Sequence, residues 1–263
     1  MRVGDIRLDP VSDGTFVARP SYFGDTAGAH PDFFDRHGAV WLPIGCFLIR
    51  TGERVVLLDA GLGPEMQQLP DGMHLVGGQL PTGLRALDVA PSDITDVVCT
   101  HLHADHVGWL FNLDGRPTFP NATIRFGAGD WRHFVTGPGE MADHIRVGLQ
   151  ETMAPVQTLD EDCTVAPGIT ALLAPGHTPG HLCLVLSSGT ERALLLGDAI
   201  TCPVQLDEPT WHSMGDVDPA LADRTRERLW RELEDEHSIG VGAHFPELRY
   251  GRVLPGTARR WLT

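Results

Sequence analysis

The sequence contains no lysine: all 20 basic residues among its 263 are arginine. That absence removes lysine Schiff-base chemistry and a Walker-type phosphate lysine together. Long apolar runs are missing too, and none nears the roughly 20 residues a membrane-spanning helix needs. The opening stretch MRVGDIRLDP has no apolar signal-peptide core, so a cytoplasmic protein is expected. Cysteine is sparse and unpaired in pattern: Cys46, Cys99, Cys163, Cys183 and Cys202 form no C-x-x-C motif, and an odd number argues for free thiols. Tyrosine is scarcer still, with only Tyr22 and Tyr250. Positive charge is outweighed, leaving a formal net charge of −15. A surface that acidic repels phosphate backbones and anionic headgroups, which argues against nucleic-acid and membrane partners.

What is present is ordinary for a globular chain, 42% hydrophobic and 21% charged. A chain of this length buries a substantial core without disulfide or metal staples. CFLIR (46–50) and RVVLLDA (54–60) read as strands joined by a Thr-Gly-Glu turn, and DVVCT (96–100) and ATIRFG (122–127) as further strands, with DWRHF (130–134) opening a helix. ITALLAP (169–175), HLCLVLSS (181–188), RALLLGD (192–198) and SIGVGAH (238–244) repeat the style. Asp218-Pro219 makes an N-cap with proline at the first helical position, and the helix is predicted to run to about Asp235 with Leu221, Thr225, Leu229 and Leu233 on one face. Hairpin-linked strands followed by helices, twice over, suit two mixed β-sheets packed face to face with helices outside. One domain over 1–263 is expected. Within it 18–43, a stretch of proline, glycine and aromatics without periodicity, is predicted to be a lid or substrate-facing loop.

The chemistry concentrates in THLHADHVGW (100–109). His101 and His103, two apart, project to one side and can share a metal, while Asp105 and His106 point to a second. Imidazole with carboxylate suits zinc, and also manganese, iron or cobalt. Further donors stand at strand ends downstream: His177 in APGHTPGH, Asp198 in LLLGDA and His244 in VGAHF. Donors emerging from separate strands are how a rigid site is built at a sheet edge.

H-L-H-A-D-H, G-H-T-P-G-H, L-L-G-D-A and G-A-H, in this order, resemble the metallo-β-lactamase superfamily. The resemblance implies an α/β fold, a four-layer αββα sandwich of two mixed sheets, with two divalent metal ions at one edge. It implies that His101, His103 and His177 hold one ion, that Asp105, His106 and His244 hold the other, and that Asp198 bridges both. Asp59 in LLDAG would stand behind the ligands, orienting a histidine through its other N–H.

Such a centre implies hydrolysis, with a metal-bridging hydroxide attacking an ester or lactone carbonyl of a small molecule and Asp105 and Asp198 as the catalytic carboxylates. Within the superfamily the chain is most similar to N-acyl-homoserine lactonases and methyl-parathion-hydrolase-like enzymes, through GDAITCPVQLDEP (197–209) and GAHFP (242–246). A phosphotriesterase is an alternative, as is a glutathione-thioester hydrolase, for which the basic RYGRVLPGTARRW (249–261) speaks. A metal-containing binding or regulatory protein is the alternative of another class. The lactonases carry a tyrosine three residues past the bridging aspartate, where this chain has Thr201, and Tyr22 is the candidate to replace it. Tyr22, Trp41, Thr201 and Trp211 are the expected pocket residues, and Trp109 is the first position past the motif where specificity could begin. A homodimer is expected from the resemblance alone.

Overall fold

Alternation along the apolar strands decides the layering. In the strand Val40–Thr51, Phe47 and Ile49 enter one buried cluster while Cys46 and Leu48 enter another. Val56 and Leu58 part from Leu57 in the same way on Arg54–Leu58. A period of two sends successive side chains to opposite faces, so each strand serves two cores. The first cluster lies between two sheets, where Phe47 and Ile49 join Leu182, Leu184 and Leu186. The second lies under the helices Leu80–Ala86 and Asp143–Glu151, through Leu80, Leu84, Ile145 and Leu149. Leu229 and Leu233 of the helix Pro219–Leu233 cover the outer face of the second sheet. Leu182–Ser188 is apolar on both faces because both are covered. The layers therefore run helix, sheet, sheet, helix, as the sequence implied.

The computed structural model describes residues 1–24, 27, 30–208, 211–254 and 260–263. Its larger sheet runs in the order Met66–Leu69, Met73–Val76, Ile6–Ala18, Val40–Thr51, Arg54–Leu58, Asp96–Val98, Thr123–Gly127, Val156–Leu159, with Arg2–Val3 also paired to Ile6–Ala18. Pairing is antiparallel up to Arg54–Leu58 and parallel beyond it. The second sheet runs Cys163–Ala166, Ile169–Leu173, Leu182–Ser188, Glu191–Leu195, Ser238–Val241, and its last pair is parallel. Both sheets are mixed. Asp59, His101, Asp198 and His244 follow the carboxyl ends of their strands, the end of an α/β sheet where ligands bind.

The long strand Ile6–Ala18 was not legible, since Pro10, Asp13 and Gly14 break its alternation and its pairing shifts register between Ser12 and Gly14. Buried Asp13 there accepts N–H groups from Leu62, Gly63, Gly78 and Leu80 and from the Trp109 indole. The predicted loop 18–43 is shorter than expected, because Ala18 ends one strand and Val40 begins the next. Part of it, residues 25, 26, 28 and 29, lies outside the described residues, as do 255–259 of the basic stretch 249–261. The Asp218 carboxylate caps its helix by accepting from the Leu221 N–H, and the helix closes at Leu233. Gly45 lets the two sheets meet near the site: its N–H donates to the Ala243 carbonyl at 3.0 Å, and a Cβ there would stand 2.5 Å from that oxygen. All five cysteines are free, and among the described residues no helix is long and apolar enough to cross a membrane.

Candidate metal centre

Three interlocking triads form at the joint edge of the sheets. His101, His103 and His177 make one; His101, His106 and Asp198 the second; Asp105, His106 and His244 the third, with donor atoms in each lying within 4.8 Å of one another. His101 Nε2 and His177 Nε2 stand 2.9 and 3.0 Å from His103 Nδ1. Asp198 sits in the middle: Oδ2 is 3.7 Å from His177 Nε2 and 3.2 Å from His244 Nε2, and Oδ1 is 3.5 Å from His106 Nε2. One carboxylate therefore faces both groups of histidines.

Local structure explains the placement. After Asp96–Val98 the chain turns into a short helix, Ala104–Val107, so His101 and His103 leave from extended backbone and Asp105 and His106 from its first turn. The segment around His177 is fastened to them by Asp130. That buried carboxylate accepts from the Leu102 N–H on one side and from the Thr178 hydroxyl and Gly180 N–H on the other, at 3.1, 2.9 and 2.6 Å. Burial pushes the Asp130 carboxyl up to about 6 against those bonds.

Three of the outward nitrogens meet oxygen acceptors directly. His106 Nδ1 is 2.9 Å from Asp59 Oδ2, His177 Nδ1 is 2.9 Å from Asp216 Oδ1, and His244 Nδ1 is 2.7 Å from the Pro43 carbonyl. Those oxygens only accept, so each Nδ1 carries a proton and Nε2 is the nitrogen turned inward. The Thr100 hydroxyl lies between Asp59 and His101 Nδ1, at 2.9 and 3.0 Å. Asp59 has φ of 61°, a conformation costly for a non-glycine residue, at the point where its carboxylate also receives the Thr100 N–H at 2.6 Å. Asp216 and Pro43 were missed by sequence reading because neither neighbours the motif. His181 accepts from the Asp198 and Ala199 N–H groups at 3.0 and 3.1 Å.

Electrostatics separates the donors into two sets. Burial, reinforced by neighbouring histidines, pushes the His101 imidazole well down and His103 to about 3, so both are neutral. Burial also opposes charge on His106 and His244, but carboxylates outweigh it. Asp59, Asp105 and Asp198 raise His106 to about 9, and Asp198 and Asp105 raise His244. Asp105 is lowered to about 2, because His106 and His244 outweigh its desolvation.

The donor set fits metal ions. His106 Nε2 and Asp198 Oδ1 are buried without a hydrogen-bond partner among the described residues, and the inward lone pairs of His101, His103 and His177 converge. A cation between them would supply the partner that such buried groups lack.

Residues 39–244 match the metallo-beta-lactamase superfamily. The chain belongs to that superfamily. It is 29% identical over 171 residues to an N-acyl homoserine lactonase of Bacillus cereus, a match covering 59% of this chain; the chain spans 62% of that relative. It is 27% identical over 232 residues to N-acyl homoserine lactonase AiiA of Bacillus thuringiensis subsp. kurstaki, covering 81% of this chain and 86% of the relative. Among solved structures, the fold is similar to AidC, a dizinc quorum-quenching lactonase in complex with a product, at a TM-score of 0.85 and 23% identity, covering 100% of this chain and 95% of that one.

In this member of the metallo-beta-lactamase superfamily the triads open on a cavity of about 330 Å³ lined by Phe16, Tyr22, Leu69, Leu75, Met214 and the site residues Asp105, Asp198 and His244, among others. Of the expected pocket residues, Tyr22 is in place. Trp41 is not: it is 64% exposed, with its indole N–H on Asp35. Thr201 is buried away from the cavity, its N–H donating to Gln205 and its hydroxyl 3.5 Å from the Asp198 carbonyl. Trp211 packs instead among Phe23, Phe33 and Phe34, in the aromatic cluster that anchors the loop carrying Tyr22. Trp109 is turned away to Asp13. Phe16, on the unforeseen strand, is the missed wall, its ring 5.7 Å from His244.

Proposed function

We propose that this chain is a metal-dependent hydrolase that cleaves an ester or lactone bond of a small molecule, with two divalent ions held by His101, His103 and His177 and by Asp105, His106 and His244, and with Asp198 shared. The observation that carries it is a shared carboxylate between two groups of inward-facing imidazoles, at the floor of a mostly apolar cavity. Zinc is the first expectation for this donor set, with manganese, iron and cobalt also suited. The ions, when bound, supply Lewis acidity and lower the pKa of a water. The chain does the rest. Asp59, Asp216 and the Pro43 carbonyl hold the imidazoles in one tautomer, and Asp105, ionised and facing the cavity, takes the proton released by the attacking water and passes it to the leaving oxygen. Lactones are the favoured substrates because the relatives are named N-acyl homoserine lactonases. None of the arginines lines the cavity among the described residues, which disfavours an anionic glutathione thioester. Five free thiols suit a reducing compartment, in keeping with a cytoplasmic site of action.

The test is metal analysis of the purified chain, followed by assay against an N-acyl homoserine lactone, an aryl ester and a phosphotriester. Lactone or ester turnover that stops on chelation supports the proposal. A chain loaded with two ions and inert across the set would instead be a binding or regulatory protein.

Tyr22 gives a sharper prediction. Its hydroxyl accepts from Ser213 Oγ at 2.9 Å, which leaves its own proton for the cavity, and burial with the nearby Asp198 and Asp105 charges keeps that proton on. A hydrogen bond to developing charge is worth roughly 1.5–3 kcal/mol, so Tyr22→Phe is expected to lower kcat/KM about tenfold to a hundredfold with the fold intact. Unchanged kinetics for the best substrate would remove the phenol from the reaction.

Asp216→Asn tests the support behind His177. It should weaken zinc binding about 10–100-fold, read by competition with a chromophoric chelator. Wild-type affinity would mean that the Asp216 contact does not orient the imidazole.

A further inference from the structure

The cavity has a direction. Phe16 pairs with Leu75 in register, and Leu75 pairs with Gln67, so the three side chains form one row across three adjacent strands. The row begins at the Phe16 ring, 5.7 Å from that of His244, and ends on Met66–Leu69, the edge strand of the larger sheet. Leu69, two residues from Gln67, shares its face. All four line the cavity, so a substrate whose reacting bond lies at the triads has an apolar floor for its remaining arm, running outward toward Gln67.

Outside the triads, the described residues lining this cavity include one charged side chain. Glu140 also lines the cavity, is exposed, and makes no hydrogen bond or ion pair among the described residues. No arginine lines the cavity among those residues. The carboxylates deeper in are engaged: Asp59 and Asp216 with histidine N–H groups, and Asp105 and Asp198 within the triads. Glu140 is therefore the unengaged charge among the described lining residues.

We infer that the cavity selects its substrates by charge, accepting an arm that is apolar and ends neutral or cationic and rejecting one that ends in a carboxylate, with Glu140 as the specificity-determining residue. The inference rests on the hydrolase reading above and goes beyond it, since that reading names the bond cleaved and not the arm. An interaction across a solvated mouth is modest and screened by salt. It acts with opposite sign on the two kinds of arm, so it shows best in their ratio.

The experiment uses a matched set of esters of equal arm length ending in methyl, trimethylammonium or carboxylate. It compares the metal-loaded wild type with Glu140→Gln and Glu140→Arg. The carboxylate-to-ammonium ratio of kcat/KM is expected to lie below one in the wild type, to rise about fivefold to tenfold in Glu140→Gln, to rise further in Glu140→Arg, and to flatten at high salt. A ratio that does not follow the charge at position 140 overturns the inference. The same three arms on non-hydrolysable amides, titrated by calorimetry, should bind in the same order. That measurement separates the two readings: if no ester is cleaved but the amides still rank by charge, hydrolysis fails and charge selection stands, whereas equal binding overturns charge selection.

Discussion

Asp198→Asn is expected to reduce kcat/KM for the best lactone or ester by about a thousandfold or more and to lower the metal content of the purified chain below that of the wild type. Asp198 places its oxygens toward both histidine groups, at 3.5 Å from His106, 3.7 Å from His177 and 3.2 Å from His244. Asparagine keeps the shape but loses the charge and one acceptor oxygen, so it cannot serve two cations as the carboxylate does. The Lewis acidity at stake is several kcal/mol, and each 1.36 kcal/mol is a factor of ten in rate. The backbone of residue 198 stays anchored, because its N–H donates to His181. The measurement is steady-state kinetics with elemental analysis on a sample shown to be folded by circular dichroism. A variant that keeps full metal content and more than a tenth of the activity would show that Asp198 is not the shared ligand.

Stripping the metal should cost the second-largest effect, and its size should depend on pH. A ligand present at about 1,000 times its dissociation constant stabilises the folded chain by roughly 4 kcal/mol, which for a chain of this size is roughly 10 °C in Tm. In the metal-free chain His106 sits near 9 instead of 6.5, held up by Asp59, Asp105 and Asp198 against its burial. A raised folded pKa stabilises through the bound proton, fully below about pH 6.5 and decreasingly as pH rises through about 9. Metal binding expels that proton, so the gap in Tm between metal-loaded and chelated protein should widen from about pH 6 to about pH 9. Differential scanning calorimetry across that range checks it, with proton release on zinc addition as a second readout. A gap that narrows with rising pH would mean that His106 does not give up its proton to a metal.

Much of this centre was readable from residue types alone, because chemistry that needs imidazole and carboxylate restricts them to few positions. His101, His103, Asp105 and His106 occur together, and His177, Asp198 and His244 each close an apolar run whose strand the structure contains. The strands ending in these residues were visible for the same reason: covered on both faces, they are continuous apolar stretches such as Leu182–Ser188. The supports were not visible. Asp216, Asp130 and the Pro43 carbonyl act through space from positions 39, 28 and 201 residues away from their partners, and no local pattern marks them. The pocket wall was misjudged for a related reason. Aromatic residues serve core and cavity alike, so Trp211 went to a buried cluster while Phe16, on a strand hidden by Pro10, Asp13 and Gly14, went to the cavity. Trp41 illustrates the opposite limit, an exposed ring set outward by strand parity between buried Val40 and Leu42.

The division of the donors between the two sheets bears on how the chain is made. His101, His103, Asp105 and His106 follow strands of the larger sheet, while His177, Asp198 and His244 follow strands of the smaller. Each of the three triads draws at least one member from the later group. A nascent chain that has finished its first sheet thus holds two of the three donors of every triad and completes none. On the proposed reading, tight capture of a cation is expected only after the two sheets have docked, where the Gly45 N–H meets the Ala243 carbonyl. An ion retained by this chain is then expected to report that both halves have folded and joined in the right register.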